Sequence, residues 1–446
     1  MRKSLFYALL ITLLTVSSIH CDKTGRKQHD HLNIIIITID TLRADHLSTY
    51  GYEYQTSPNI DAFAEESLLF EFAYCPVPKT SASFASLMTG LHPFVHKTKP
   101  IMDTLDQKHI TLAEILKMKG YQNFAVVDNT NLAKNYNFDQ GFDEYIEVWN
   151  EIEEKKESTP FITKTITDFL EKKQNKPFFL WANYLETHTP YIPPEEFVEK
   201  RPAGRDLKKV KNKFIGTGNI KLDQNTNEGY FLSLYDGAVK YIDSEMGKIL
   251  DLIYKKGYHE NSIIIFSADH GEALGEHNYY YSHGPLTFNA SARVPLIIRL
   301  PEVKSRRLKY PVSLMDVYPT ILDKVGLSPP YDIQGIHLLK KAQNRIIFIY
   351  GCNKSRAVVH HKYHSVNVKP AFSKRLDINS HYLFNDLKDP FQKENLYKDK
   401  KKLFDFMDRE YEKFLKKHGY LDNKQSQTPE LSQKEIEALK SLGYLR

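Results

Sequence analysis

Four places in the sequence set cation- or anion-binding side chains directly after apolar or aromatic runs. The first is Asp40, which closes Asn33-Ile34-Ile35-Ile36-Ile37-Thr38-Ile39 and opens Thr41-Leu42-Arg43-Ala44-Asp45. A carboxylate at a strand's carboxyl end suits a divalent cation, and it equally suits capping the next turn. Arg43 is placed either to clamp an anionic ester or to pair with Asp45. The second is Thr80-Ser81-Ala82-Ser83-Phe84-Ala85-Ser86-Leu87-Met88-Thr89-Gly90. Small hydroxyl residues opening a helix leave its first backbone N–H groups to an anion, although Thr80 would also serve as a plain N-cap. The third is Ser267-Ala268-Asp269-His270-Gly271-Glu272, a carboxylate–imidazole pair with a glycine for the turn, well suited to a metal. The fourth comprises His188, in Glu186-Thr187-His188-Thr189-Pro190-Tyr191, and His283, in Ser282-His283-Gly284. Taken singly, each histidine reads more readily as structural than as functional.

Strand-like runs must carry these sites. They occur at residues 33–39, 124–127, 178–185, 263–266 and 296–298, with helical stretches between them. One helix is expected over 111–119, where Thr111 and Glu114 form a capping box and Gly120 a stop, and a long one over about 229–254. The alternation predicts an α/β fold with a mainly parallel sheet, whose strand ends are where ligand sites form. Residues 201–227, rich in lysine with Gly, Asn and Asp, break the rhythm and read as a solvated loop or a basic lid over an anionic substrate. Pro329 and Pro330 mark a boundary. Beyond it, strands at 345–350 and 357–360, a helix at 404–417 and a tail helix at 432–442 with Ser432 and Glu435 as a capping box predict a smaller α+β unit. The division is thus a larger catalytic unit over 32–335 and a smaller C-terminal one over 340–446.

The chain has 446 residues, and 61 Lys+Arg against 55 Asp+Glu give a net charge of +6. That weak excess suits anionic substrates. With no basic stripe carrying interleaved aromatics, nucleic acid is not expected as a partner. Arg2 and Lys3 precede an apolar run over 5–16 that ends in Ser17 and Ser18, the layout of a secretory signal and too short to span a membrane. Cys21 follows where a bacterial lipoprotein signal places its lipid-accepting cysteine. Export to the periplasm or cell surface is expected, with membrane contact only through a lipid anchor at Cys21, and residues 23–31 as a tether. Cys75 and Cys352 make no zinc-ligand spacing, and read as two free thiols or one disulfide. Nothing in the sequence sets an oligomeric state.

Taken in order, Ile37-Thr38-Ile39-Asp40-Thr41-Leu42-Arg43-Ala44-Asp45, the 80–90 stretch, His188-Thr189-Pro190-Tyr191 and Ser267-Ala268-Asp269-His270-Gly271-Glu272 resemble signatures of the sulfatase family, within the alkaline-phosphatase-like superfamily. Arg293-Val294-Pro295-Leu296, Asp316-Val317-Tyr318-Pro319-Thr320 and the terminal Leu439-Lys440-Ser441-Leu442-Gly443-Tyr444 are similar to it as well, so the resemblance covers nearly everything from Asn33 onward. It implies an alkaline-phosphatase-type fold, a mainly parallel sheet between helices with a small C-terminal domain carrying its own sheet. It also implies one divalent metal held by Asp40, Asp269 and His270, Thr80 as the metal-bound nucleophile, and His188 and His283 facing the ester oxygens or leaving group.

The chain departs from that family at the nucleophile. Sulfatases begin this signature with a Cys or Ser that becomes formylglycine, followed by Pro, Ser and Arg at set offsets. Aligned on Leu87-Met88-Thr89-Gly90, the nucleophile place holds Thr80, the proline place Ala82 and the arginine place Phe84, and Cys75 lies too early in the chain. Threonine cannot become formylglycine. It is, however, the nucleophile in related phosphodiesterases and in lipoteichoic-acid-type and phosphoethanolamine transferases. Asp269-His270 replaces the usual Asp-Asn, which favours manganese or zinc and leaves calcium or magnesium open, and Thr41 replaces a second Asp. The expected function is therefore a metal-dependent hydrolase of phosphate (di)esters or sulfate esters. The alternatives are a sulfatase working without formylglycine, a transferase of phospho-alcohol headgroups onto envelope glycan or lipid, and an inactive surface-binding protein.

Overall fold

The computed structural model describes residues 32–210, 213–216, 227–340, 344–419, 421 and 431–442. The expected leader and tether lie outside these residues, as do parts of the 201–227 loop and the last residues of the tail. Among the described residues no helix is long and apolar enough to cross a membrane.

The β-branched run that begins at Asn33 forms β1, Asn33–Ile39, with every residue buried, as a strand covered on both faces demands. Its sheet is completed by β2 (Leu68–Phe70), β3 (Gln122–Val127), β4 (Glu144–Glu147), β5 (Phe178–Tyr184), β6 (Ser262–Ser267), β7 (Leu296–Arg299) and β8 (Arg306–Leu308). The eight strands lie in the order β8-β2-β7-β6-β1-β5-β3-β4. The five from β6 to β4 are parallel, β8 runs parallel to β2, and β7 is antiparallel to both its neighbours. Register matters most for function. Thr38 lies opposite Asn183 of β5 and Ser267 of β6, so three chain segments leave the sheet at one level and deliver Asp40, His188 and Asp269 to the same rim.

Helices cover the sheet. The hydroxyl-rich segment forms α1, Thr80–Thr89, in which every residue is buried. Next, α2 (Leu112–Met118) starts at the expected Thr111–Glu114 capping box. Packed against each other are α3 (Ser158–Glu171) and the long α4 (Glu228–Lys255).

The C-terminal part is an antiparallel meander of β9 (Ile346–Gly351), β10 (Ser355–His360), β11 (Tyr363–Val368) and β12 (His381–Asn385). On it lies α5, Lys401–His418, burying Phe404, Met407, Tyr411 and Leu415 along one helical stripe. The tail helix α6, Gln433–Ser441, carries its expected capping box and returns to the larger part. There Asn135 Nδ2 donates to Glu435 Oε1 at 3.0 Å and Lys434 Nζ donates to the Asn150 carbonyl at 3.1 Å.

Asp316 ties the two parts together. Its buried carboxylate accepts the Ser313 and Ile336 N–H groups, each at 2.8 Å, and forms a bidentate pair with Arg345 just ahead of β9. Asp316→Ala strands the guanidinium and both N–H groups, and is expected to cost roughly 3–5 kcal/mol, read as a lowered urea midpoint. A loss of under about 1 kcal/mol would mean that water satisfies these groups as well as the carboxylate does.

Candidate active site

Asp40 leaves the carboxyl end of β1 with its backbone fixed on both sides. Its N–H donates to the Tyr184 carbonyl at 2.8 Å, and its own carbonyl accepts the Thr187 hydroxyl at 2.6 Å. Thr41 follows at φ 60°, a conformation costly for a β-branched residue. It is held there by its hydroxyl on the Thr187 carbonyl at 2.6 Å and by the Tyr235 hydroxyl of α4 on its own carbonyl at 2.9 Å. The Thr41 N–H, turned inward as a result, donates to Asp269 Oδ1 at 3.2 Å.

Three ligand atoms, one each from the fully buried Asp40, Asp269 and His270, lie within 4.8 Å of one another. Asp40 Oδ2 accepts from Asn129 Nδ2 at 2.5 Å, whereas Asp40 Oδ1 and Asp269 Oδ2 have no hydrogen-bond partner. His270 Nδ1–H donates to the Gly271 carbonyl at 3.0 Å, so its Nε2 carries a lone pair. That Nε2 sits 3.2 Å from Asp269 Oδ2, an arrangement of two electron-rich atoms that repels unless a cation or a proton lies between them. Burial, ahead of every other cause, pushes the Asp40 carboxyl up to about 7, against the pull of Asn129, Lys79 and Lys155. Burial, then the charge of Asp40, drives Asp269 up as well, and burial drives His270 down. Two carboxylate oxygens and an imidazole with a fixed tautomer fit a divalent cation.

Thr80 is the first residue of α1. Lys79, not Thr80, is the N-cap, and no side chain caps this helix. Thr80 Oγ1 points to the cluster, 3.4 Å from His270 Nε2. The helix is pinned there by Ser83, whose hydroxyl donates to the Asp269 carbonyl at 2.7 Å. Gly271 lets the other wall approach, since a Cβ at that position would lie 2.2 Å from the Ala290 carbonyl oxygen.

The remaining histidines line up beside the cluster, with ring centroids 4.2 Å apart for His270 and His283 and 5.1 Å for His283 and His188. His188 Nδ1–H donates to the Thr189 carbonyl at 2.7 Å. His283 Nδ1 lies 3.0 Å from Glu272 Oε1, and its Nε2 has no partner. Burial lowers both, His188 to about 3, so both rings are neutral near pH 7.

Arg43 takes the pairing role rather than the clamp. Its guanidinium holds Asp45 at 2.8 and 2.9 Å, Glu276 at 2.7 Å and the Glu272 carbonyl at 3.1 Å. Cys75 is a free, buried thiol on the segment leading into α1, its Sγ 3.8 Å from the Ser291 carbonyl, and burial pushes it far above the range of a reactive thiol. Cys352 is likewise free.

Sequence reasoning missed Lys79, Asn129 and Lys155, and gave Glu272 no role beyond its place in the 267–272 motif. The Lys79 stem lies over Gly284, where a Cβ would sit 2.7 Å from Lys79 Cε, and its ammonium acts on Asp40, Asp269 and Glu272. Lys155 Nζ donates to the Pro190 carbonyl at 3.3 Å, and its charge reaches Asp40 and Asp128. Adjacency to Thr80 was a usable signal for Lys79. Asn129 and Lys155 lie on irregular segments that carried none.

Raised carboxyl values fix the sign of a pH effect. Between the ordinary 3.8 of Asp40 and about 7 the folded metal-free protein binds the extra proton, so its stability falls as pH rises through that window. Cation binding needs the deprotonated forms and removes the penalty. The gap in thermal midpoint between metal-loaded and chelator-treated protein should therefore widen as pH rises from about 4 through about 7. A gap constant across that range would show that Asp40 and Asp269 hold no cation.

A family model described as Sulfatase matches residues 32–327. The chain is 25% identical over 389 residues to the Arylsulfatase of Clostridium perfringens, covering 70% of this chain and 79% of that protein. It is 26% identical over 419 residues to the N-acetylgalactosamine-6-sulfatase of Canis lupus familiaris, covering 79% and 74%. Among solved structures, the phosphonate monoester hydrolase of Agrobacterium radiobacter aligns with a TM-score of 0.68 at 18% identity over 87% of this chain and 96% of that one. BT4656 in complex with D-glucosamine-2-N,6-O-disulfate aligns with a TM-score of 0.72 at 19% identity, over 89% and 100%. At those identities the structural likeness bears on the fold alone.

Proposed function

The chain belongs to the sulfatase family, and on that premise we propose that it is a metal-dependent ester hydrolase whose nucleophile is Thr80, acting on phosphate diesters in preference to sulfate esters. The observation that carries this reading is the Thr80 hydroxyl at the start of a buried helix, 3.4 Å from His270 Nε2 and beside two half-satisfied carboxylates. A threonine cannot carry the hydrated aldehyde of the sulfatase mechanism. Phe84, at the place of the signature arginine, is buried with its ring 5.2 Å from that of Trp181.

When bound by Asp40, Asp269 and His270, a divalent cation supplies Lewis acidity that favours the Thr80 alkoxide and offsets charge on the transferring group. The chain's own groups do the rest. Thr80 Oγ1 forms a bond to phosphorus as the phosphorus–alcohol oxygen bond breaks. Lys79 and the first N–H groups of α1 counter the non-bridging oxygens. Neutral His283 or His188 takes the proton lost by Thr80 and passes it to the leaving alkoxide, so the step needs no protonated histidine at the outset. The same ring then deprotonates water, which attacks the phosphothreonine and releases phosphate monoester, and the proton returns to Thr80. Export remains part of the proposal and rests on the leader read over residues 1–21.

The manganese- or zinc-loaded protein should cleave bis(4-nitrophenyl) phosphate faster than 4-nitrophenyl sulfate, and Thr80→Ala should abolish both activities. A preference for the sulfate would sink the diester reading, and turnover retained in Thr80→Ala would remove the nucleophile. His283→Gln should slow the diester reaction roughly 10²–10⁴-fold while leaving metal content unchanged. A wild-type rate in that variant would assign the proton transfer to His188.

A further inference from the structure

A cavity of 680 Å³ lies where the two parts of the chain meet, between the edge of the large sheet and the C-terminal meander. That size is within the roughly 300–1,000 Å³ usual for small-molecule sites. The larger part contributes Lys309 and Tyr310, which follow the edge strand β8. The smaller part contributes the His361-Lys362 turn between β10 and β11, Leu387 beyond β12, and Leu403 in the first turn of α5. The Asp386 N–H donates to the Lys362 carbonyl at 2.9 Å, which fixes the turn to the loop that carries Leu387. The cavity shares no lining residue with the cation cluster or with His188 and His283.

The walls are apolar and reachable, and the rim is basic. Tyr310, Tyr363 and Leu403 are half-buried, and Leu387 is 48% exposed, an apolar surface without a cover. The Tyr310 hydroxyl is spent on the Leu338 carbonyl at 2.9 Å, so what this residue offers a ligand is its ring. Lys309, His361 and Lys362 stand exposed around the opening. Lys362 Nζ and Lys400 Nζ lie 5.6 and 5.9 Å from the centroid of one ring, that of Tyr363. Among the described residues neither ammonium has a carboxylate within ion-pair distance, and Lys309 Nζ reaches only Glu71 Oε1, at 3.8 Å. The single acid of the lining, Asp386, is buried and already bonded to Tyr74, Gln392 and His364. Like charges gathered at one mouth, with no accessible carboxylate among them, favour an anion and disfavour a cation.

We infer that this cavity binds an anion carrying a hydrocarbon body, with the acidic head on Lys309 and Lys362 and the body against Tyr310, Tyr363, Leu387 and Leu403. A free fatty acid and a membrane lipid with an acidic headgroup share that chemistry. The site is separate from ester hydrolysis and stands whichever group is the nucleophile. Because its walls come from both parts of the chain, a bound ligand bridges them.

Calorimetric titration of the purified protein with decanoate, decyltrimethylammonium and acetate separates head from body. Decanoate, kept below its micelle concentration, is expected to bind one-to-one and about tenfold or more tighter than either of the others. The double variant Lys309→Glu/Lys362→Glu reverses the rim at two exposed positions and should erase the preference for decanoate over decyltrimethylammonium. Leu387→Asp, also at an exposed position, should weaken decanoate binding about tenfold. Equal wild-type affinity for decanoate and decyltrimethylammonium overturns the anionic head, and equal affinity for decanoate and acetate overturns the hydrocarbon body. Decanoate binding unchanged in both variants overturns the site. If decanoate does not bind, sedimentation with vesicles of phosphatidylglycerol and phosphatidylcholine decides the matter. Binding that requires phosphatidylglycerol and is lost in both variants assigns the cavity to a membrane lipid. No binding to the vesicles, or binding that both variants retain, overturns the proposal.

Discussion

Two carboxylates buried side by side set the terms for this structure. Asp40 and Asp269 follow neighbouring strands that are in register, so their charges meet at one rim in a region that admits no water to either side chain. Burying an ion costs several kcal/mol even after relaxation, and a second ion of the same sign adds to it. The surroundings answer that cost piece by piece. Asn129 bonds one oxygen, two backbone N–H groups converge on another, and Lys79 and Lys155 bring positive charge from opposite segments. The one oxygen of each carboxylate that remains unsatisfied, with the lone pair of His270, defines where a cation belongs.

The same electrostatic economy explains why the histidines are neutral. Three imidazoles in a row, close to a buried lysine and a cation site, could not all be charged, and burial already lowers them. A neutral ring is the state in which an imidazole can accept a proton. Arg43 is kept out of this balance. Bonded to Asp45 and Glu276, it braces the turn after β1 against the 272–276 segment, and so fixes backbone rather than ligand.

The sequence showed those features that obey a local rule. The continuous β-branched run of β1, the capping boxes of α2 and α6 and the length of α4 are local, and each is found within a residue or two of its expected bounds. Asp40, Asp269, His270 and Thr80 were legible because each follows a strand end or opens a helix, and the structure gathers them. What escaped was long-range. The antiparallel sense of β7 is decided by pairing, which no single strand reveals. In β11, Tyr363–Val368, polar residues such as His364, Ser365 and Asn367 hide a strand that its neighbours stabilise. Asn129 and Lys155 matter only because folding brings two irregular segments to one carboxylate, and nothing in their own neighbourhoods announces it.

The helix that opens at Thr80 shows why the C-terminal part cannot be treated as an appendage. One side of α1 faces the central sheet, where Phe84 packs on Trp181 of β5. Ala82, two residues earlier, belongs instead to a cluster with Val77, Phe94, Tyr350 and Val358 and the buried stripe of α5. The Tyr350 N–H of β9 donates to the Pro76 carbonyl at 2.9 Å, directly on the segment that leads into Thr80. The helix is therefore clamped between two sheets, and a large side chain at 82 would push it away from one of them. Because Thr80 is its first residue, any such shift moves the hydroxyl relative to His270. The positions that separate this signature from the formylglycine pattern are thus tied to the packing of one helix: Thr80 faces the cation cluster, Phe84 the central sheet and Ala82 the C-terminal sheet.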